Sequence, residues 1–164
     1  MVAITAADYI LLPAVPEKRK LKTGNGARVS FVDRSGAGAA EFAGLVKLCC
    51  AEAARLLSVR GEISVAIVDD PEMRTLNRTY RNISRTTDVL SFEHGERGLA
   101  GDLVLSIETA RRRARRYGIT IEEELKKLVI HGVAHLAGHT HKRKKEGEAM
   151  RAEELRVLRA ISGI

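Results

Sequence analysis

The chain predicts an α+β domain: one small mixed β-sheet with helices packed against it. Three observations point there. Short β-branched runs recur along the chain, most clearly over residues 63–68. Longer stretches, such as 39–57, repeat their apolar residues at helical spacing. Strands and helices interleave, yet the connections between the later strands are short. A length of 164 residues is enough for one real core. Residues 27–164 are therefore expected to form a single domain, without internal repeat, low-complexity tract or linker. Residues 1–26 read as a loosely held extension, with two of the three prolines and the Gly24-Asn25-Gly26 turn signal.

Each element has a local reason. Residues 28–32 alternate into a first strand, and 33–38 form a loop. Phe42, Leu45, Val46, Cys49, Ala53, Leu56 and Leu57 make one face of a helix over 39–57. The strand over 63–68 stops at Asp69-Asp70-Pro71, and Pro71 suits the first turn of a short helix over 71–80. Residues 81–87 are a polar connection. A strand over 88–92, a glycine-rich loop over 93–101 and a strand over 102–107 follow. A basic helix over 108–117 ends at Gly118. Thr120 and Glu123 form a capping box for the next helix, whose inner face is Leu125, Leu128 and Val129. A final helix spans 145–161.

Composition narrows the class. Apolar residues make up 45% of the chain, with no Trp and 4% aromatics, so the core is Leu, Val, Ile and Ala. Cys49 and Cys50 are adjacent and lie in an apolar stretch, where they act as small buried hydrophobes in a reducing compartment. No stretch is long enough for a transmembrane helix. Near the N-terminus the charges follow the short apolar run, the reverse of a secretion signal, so a cytoplasmic protein is expected. The net charge is +7 and the pI about 9.7. Basic residues cluster at 18–20, 111–116 and 142–145. A charge run is ordinarily a solvated helix face, and aromatics are too few to suggest a base-stacking platform.

The densest chemistry lies in the segment His131-Gly-Val-Ala-His135-Leu-Ala-Gly138-His139-Thr-His141. It holds four of the five histidines within eleven residues. His131 and His135 share one helix face. Gly138 can adopt the left-handed conformation that ends a helix and turns the chain back. That turn brings His141 round as a third nitrogen ligand. Three protein ligands with an open position are the layout of a catalytic zinc site, with one Zn2+ per chain expected. The spacing also matches the zincin-like metal helix of metzincin proteases. Those enzymes carry Glu directly after the first His as general base, whereas this chain has Gly132. Lys142, Arg143, Lys144 and Lys145 directly follow His141, and cations beside a metal favour a polyanionic substrate.

Four spaced blocks, Asn77-Arg-Thr-Tyr-Arg81, Thr87-Asp-Val-Leu-Ser-Phe92, Gly101-Asp-Leu-Val-Leu-Ser106 and His131 to His141, resemble the YbeY endoribonuclease family, the rRNA maturation factors. The trailing Glu146, Met150 and Glu154 fit its last helix. The resemblance implies a zinc-dependent endoribonuclease of the bacterial cytoplasm that prefers single strands. Its expected work is rRNA maturation, particularly at the small-subunit 3′ end, and ribosome quality control, with rRNA and ribosomal subunits as partners. The family's three zinc-binding histidines carry over onto His131, His135 and His141, and its functional arginine onto Arg81.

The chain departs from that pattern in places. His139 and Thr140 stand where the family has Tyr and Asp, which leaves His139 as a competing ligand and removes a partner that would orient His141. Glu93 replaces the usual Pro. Arg81 would pair with non-bridging phosphate oxygens, where its planar fork fits. Asp88 is expected to order the start of its strand, and no general base is evident. The nucleophile is either an activated water or the RNA's own 2′-hydroxyl. A rival reading is a non-catalytic ribosome-assembly factor with structural zinc. A more distant one is a zincin-like peptidase, against which Gly132 and the positive charge both count.

Overall fold

The computed structural model describes residues 26–94 and 98–163. Their β-branched runs become β1 (Arg28–Asp33), β2 (Glu62–Val68), β3 (Val89–Glu93) and β4 (Leu99–Ser106). These strands form one sheet in the order β1-β2-β4-β3. β1, β2 and β4 run parallel, while β3 pairs antiparallel with β4, Ser91 opposite Leu103. The sheet is mixed and helices pack on it, so the architecture is the α+β one that the pattern predicts. The expected extension over residues 1–26 lies outside the described residues, apart from Gly26.

Alternation along the strands assigns the two faces. Ile63, Val65, Ile67, Leu103 and Leu105 point one way into the larger core. There they meet α1 (Ala43–Leu56) and α4 (Ile121–Leu136). Leu90 and Val104 point the other way and pack with Met73 and Leu76 of α2 (Asp70–Arg81). α3 (Ile107–Tyr117) and α5 (Lys144–Ala160) complete the helical layer by packing against α4. Cys49 and Cys50 are buried in the larger core, as their apolar setting predicts. Burial pushes the Cys49 thiol up to about 12 and that of Cys50 higher still. Neither supplies a thiolate at neutral pH.

Several boundaries differ from the sequence reading, each for a local reason. The helix expected over 39–57 opens as a 3-10 turn, Ala39–Phe42, after the left-handed Gly38. Ile107 begins α3 instead of ending β4, because the Ser106 hydroxyl accepts from the Thr109 N–H and caps the helix. β4 starts at Leu99 within the expected glycine-rich loop, since Leu99 pairs with Glu62 of β2 across a register shift and Gly101 pairs with Glu93 of β3. α2 continues through Arg81, one residue beyond the expected end, and stops at Asn82 with φ 57°. Arg81 is thus held at a helix terminus instead of hanging in a loop.

Asp70 fixes the other end of α2. Its Oδ1 accepts from Ser106 Oγ at 2.5 Å and from Thr109 Oγ1 at 2.8 Å, while Oδ2 meets Arg112 at 2.6 Å. One carboxylate therefore ties α2 to the β4–α3 junction. Burial alone would raise its pKa, but Arg112, Ser106 and Thr109 outweigh it and hold the carboxyl at about 2. A depressed carboxylate adds stability above its unfolded pKa of about 3.9, and that stability disappears as pH falls toward 2. Arg112 is half exposed, so the contribution is about 1 kcal/mol. Asp70→Asn should lower the melting temperature at pH 7 and flatten its decline between about pH 4 and 2. An unchanged acid limb in thermal scans would contradict this role.

Candidate metal centre

α4 builds most of the site. Thr120 and Glu123 close the expected capping box, and Glu122, Glu123 and Glu124 complement the positive end of the helix dipole. Leu125, Leu128, Val129 and Val133 bury the inner face. That rotation leaves His131 and His135 half-buried, one turn apart, on the side facing a cleft. Gly132 is pressed to the sheet, and a Cβ there would lie 2.7 Å from a Leu103 methyl. The position where a metalloprotease carries its base is here a packing contact.

The helix ends as its glycine predicts. Gly138 takes φ 85°, its N–H bonds the His135 carbonyl at 2.8 Å, and the His139 N–H bonds the Ala134 carbonyl at 3.0 Å. This paired bonding is a Schellman motif, which caps the last carbonyls and reverses the chain. Thr140 Oγ1 then donates to Glu146 Oε2 of α5 at 2.6 Å. Thr140 thus supplies a tether for the reversed segment although it lacks the carboxylate usual at that position. The result is a cluster of His131, His135 and His141 whose ligand atoms all lie within 4.8 Å of one another.

Hydrogen bonds set the tautomers of two of these rings. His131 Nδ1 donates to Glu154 Oε1 at 2.7 Å, and His135 Nδ1 donates to the His139 carbonyl at 3.0 Å. Both rings therefore turn bare Nε2 atoms inward, 3.2 Å apart. Burial comes first in holding the His135 pKa below the usual imidazole value. His131, His141 and Arg81 act in the same direction, against the opposing His139 carbonyl. Neutral imidazoles with oriented Nδ1–H groups are the state in which histidine ligates a metal. The donor set thus fits a divalent ion such as zinc. His139 contributes its carbonyl to this arrangement and is not part of the cluster.

The cluster forms one wall of a cleft of about 500 Å3. Arg81, Asp88, Ser91, Glu93 and Lys142 line the same space. Arg81 thus faces the histidines from the end of α2, and its charge contributes to the depressed His135 pKa. Of the four basic residues after His141, only Lys142 lines this cleft. Arg143 lies 3.8 Å from Glu146, and Lys144 and Lys145 are exposed in the first turn of α5. The arginine run on α3 is partly internal. Arg111 donates to the Ala37 carbonyl, Arg112 meets Asp70, and Arg113 bridges Asp88 and Glu124.

Two residues had no role assigned from sequence, one beside the metal cluster and one outside the cleft. Glu154 orients His131, and its signal was the Glu146-Met150-Glu154 spacing, which puts all three on one face of α5. His94 lies apart from the other histidines and pairs with buried Asp102 at 2.6 Å, closing the β3–β4 end. Asp88 does order its strand, as expected: it accepts from the Val89 N–H at 2.9 Å and meets Arg113 at 2.9 Å. It also walls the cleft. Gly138→Ala should cost about 1–2 kcal/mol in denaturant unfolding, because a Cβ is strained at this positive φ. A neutral effect would show that the helix end tolerates another cap.

Comparison with known proteins finds a family and relatives for this chain. Residues 33–162 match the family profile described as Endoribonuclease YbeY. An Endoribonuclease YbeY from Aquifex aeolicus (strain VF5) is 48% identical over 91 residues, covering 53% of this chain and 61% of that protein. Another from Myxococcus xanthus (strain DK1622) is 42% identical over 104 residues, 59% of this chain and 35% of that protein. The match therefore spans less than two thirds of either relative. The solution structure of a Thermotoga maritima protein superposes with TM-score 0.56 at 26% identity, covering 83% of this chain and 93% of that one. With the profile extending from the end of β1 past α5 and including every residue of the histidine cluster, the chain belongs to the YbeY family.

Proposed function

We propose that this chain is a zinc-dependent endoribonuclease that cuts single-stranded RNA in the cytoplasm. Its proposed work is maturation of rRNA, particularly the small-subunit 3′ end, and quality control of ribosomal subunits. The observation that carries the reading is the three-imidazole cluster facing Arg81 across one cleft in a YbeY-family chain. The names of the relatives, each an endoribonuclease, support the reaction class. Residues 27–164 would act as one catalytic domain.

In this reading His131, His135 and His141 hold one Zn2+ per chain. A zinc ion so held supplies Lewis acidity toward a phosphoryl oxygen and lowers the pKa of water to about 7. The chain's own groups do the remaining work. Glu154 and the His139 carbonyl each hold a proton on a ring Nδ1, which keeps the lone pair of the opposite nitrogen free to ligate. Arg81 binds the non-bridging oxygens of the scissile phosphate and neutralises charge that grows in the transition state. Lys142 extends the positive surface along the strand, and Arg143, Lys144 and Lys145 steer RNA from the exposed start of α5.

Peptide hydrolysis fits less well. Gly132 offers no carboxylate and is pressed against Leu103, so the base of a metalloprotease has no counterpart. A non-catalytic assembly role remains the rival, and one experiment separates the two. An rRNA fragment with an unpaired 3′ tail is incubated with zinc-loaded protein, with folded His135→Ala and with Arg81→Lys. Cleavage should vanish in the first variant and fall about 10²-fold in the second, as for loss of a transition-state donor. Equal cleavage by all three would contradict the reading, and so would binding without turnover by the native chain.

A further inference from the structure

A second cavity of about 420 Å3 lies between α3, α4 and α5. It shares Asp88 and His131 as wall residues with the metal cleft, so the two spaces adjoin. Its volume lies in the range of small-molecule sites, about 300–1,000 Å3. None of the chemistry proposed above uses it.

The lining has two characters. Leu128, Leu155 and Leu158 give apolar lining, and Leu155 is 48% exposed although it sits on a helix that buries Met150 and Val157. Lys127 and Arg151 also line it, both exposed and without a carboxylate partner among the described residues. The acids nearby are already engaged: Asp88 meets Arg113, and Glu154 meets the His131 ring. The pocket therefore combines apolar surface with unneutralised positive charge. A ligand that matches is flat and weakly polar on one side and anionic on the other. A nucleotide has that form, with its base against aliphatic side chains and guanidinium planes and its phosphate at the cations.

We infer that this pocket binds the nucleotide next to the scissile phosphate, its base on Leu155 and Leu158 and its phosphate at Lys127 and Arg151. The inference rests on the reading of the metal cleft as the site of RNA cleavage. It adds a subsite that holds the strand in register: a chain anchored here passes the His131–Asp88 wall and enters the cleft at a set distance from the anchor. Selection for single strands follows, because a paired base cannot leave its stack to lie on the leucines.

The test uses the full chain and binding alone. A fluorescein-labelled 2′-O-methyl hexaadenylate is titrated with protein, read by anisotropy, and compared with probes carrying one abasic unit at each position in turn. In the native protein one abasic position should weaken binding about tenfold, the loss expected when a base no longer covers apolar surface. In Leu155→Asp that penalty should disappear, and the intact probe should bind about tenfold more weakly. The Lys127→Glu/Arg151→Glu pair should also weaken binding, with a shallower salt dependence. Reversal at Arg28 and Arg60, across the sheet, should have little effect. All the substituted residues are exposed or half exposed, and unchanged melting temperatures confirm folding.

An abasic penalty that persists in Leu155→Asp would overturn the inference and assign the pocket to some other ligand, such as an acidic peptide. Equal losses from the Arg28/Arg60 reversal would overturn it as well, as diffuse attraction. If native protein binds none of the RNAs, the cleavage reading itself fails, and the subsite with it.

Discussion

The site depends on the way α4 ends. His131 and His135 would share a face in any helix of this sequence, but two imidazoles do not make a catalytic zinc site. The third arrives because Gly138 turns the chain back through a left-handed residue and two paired backbone hydrogen bonds. Thr140 then fastens the returning segment to Glu146, so His141 is held from both sides. The same α5 supplies Glu154 to His131. One helix terminus and one helix face thus place a ligand and orient another. This is the sort of support that metal-binding rings require if they are to remain in a single orientation.

Around this centre the charges are distributed by role. Arg111, Arg112 and Arg113 are absorbed in binding α3 to its neighbours, with Arg113 joined to buried Glu124 and to Asp88. Arg81 and Lys142 instead line the cleft. A count of positive charge therefore overstates the surface free to meet a polyanion, and the direction of each side chain decides. Gly132 makes a similar point about reaction class. The close approach of α4 to Leu103 leaves the protease-like spacing of histidines with a bare backbone where a base would stand.

Much of this was legible in the sequence because the signals were local. The capping box of α4, the glycine that ends it, Pro71 at the start of α2 and the β-branched run of β2 each act within a few residues, and each appears where expected. What escaped was set by distant partners. β4 begins at Leu99 because that residue pairs with Glu62 of β2, which no local glycine count reveals. Ile107 joins α3 because Ser106 caps it, although a β-branched residue after an apolar run reads as strand. The link from Glu154 to His131 joins residues 23 apart in sequence. Spacing put Glu154 on the correct face of α5 but could not say what that face meets.

The central claim is that these three imidazoles bind one metal ion through their inward nitrogens. X-ray absorption at the zinc edge, on full-length protein reconstituted with one equivalent of zinc, addresses it directly. The account predicts nitrogen and oxygen scatterers at about 2.0–2.1 Å, the outer-shell pattern of three imidazoles, and no sulfur shell at about 2.3 Å. Loss of one imidazole in His141→Ala would complete the assignment. A spectrum with one or no imidazole, or with thiolate from Cys49 or Cys50, would contradict it.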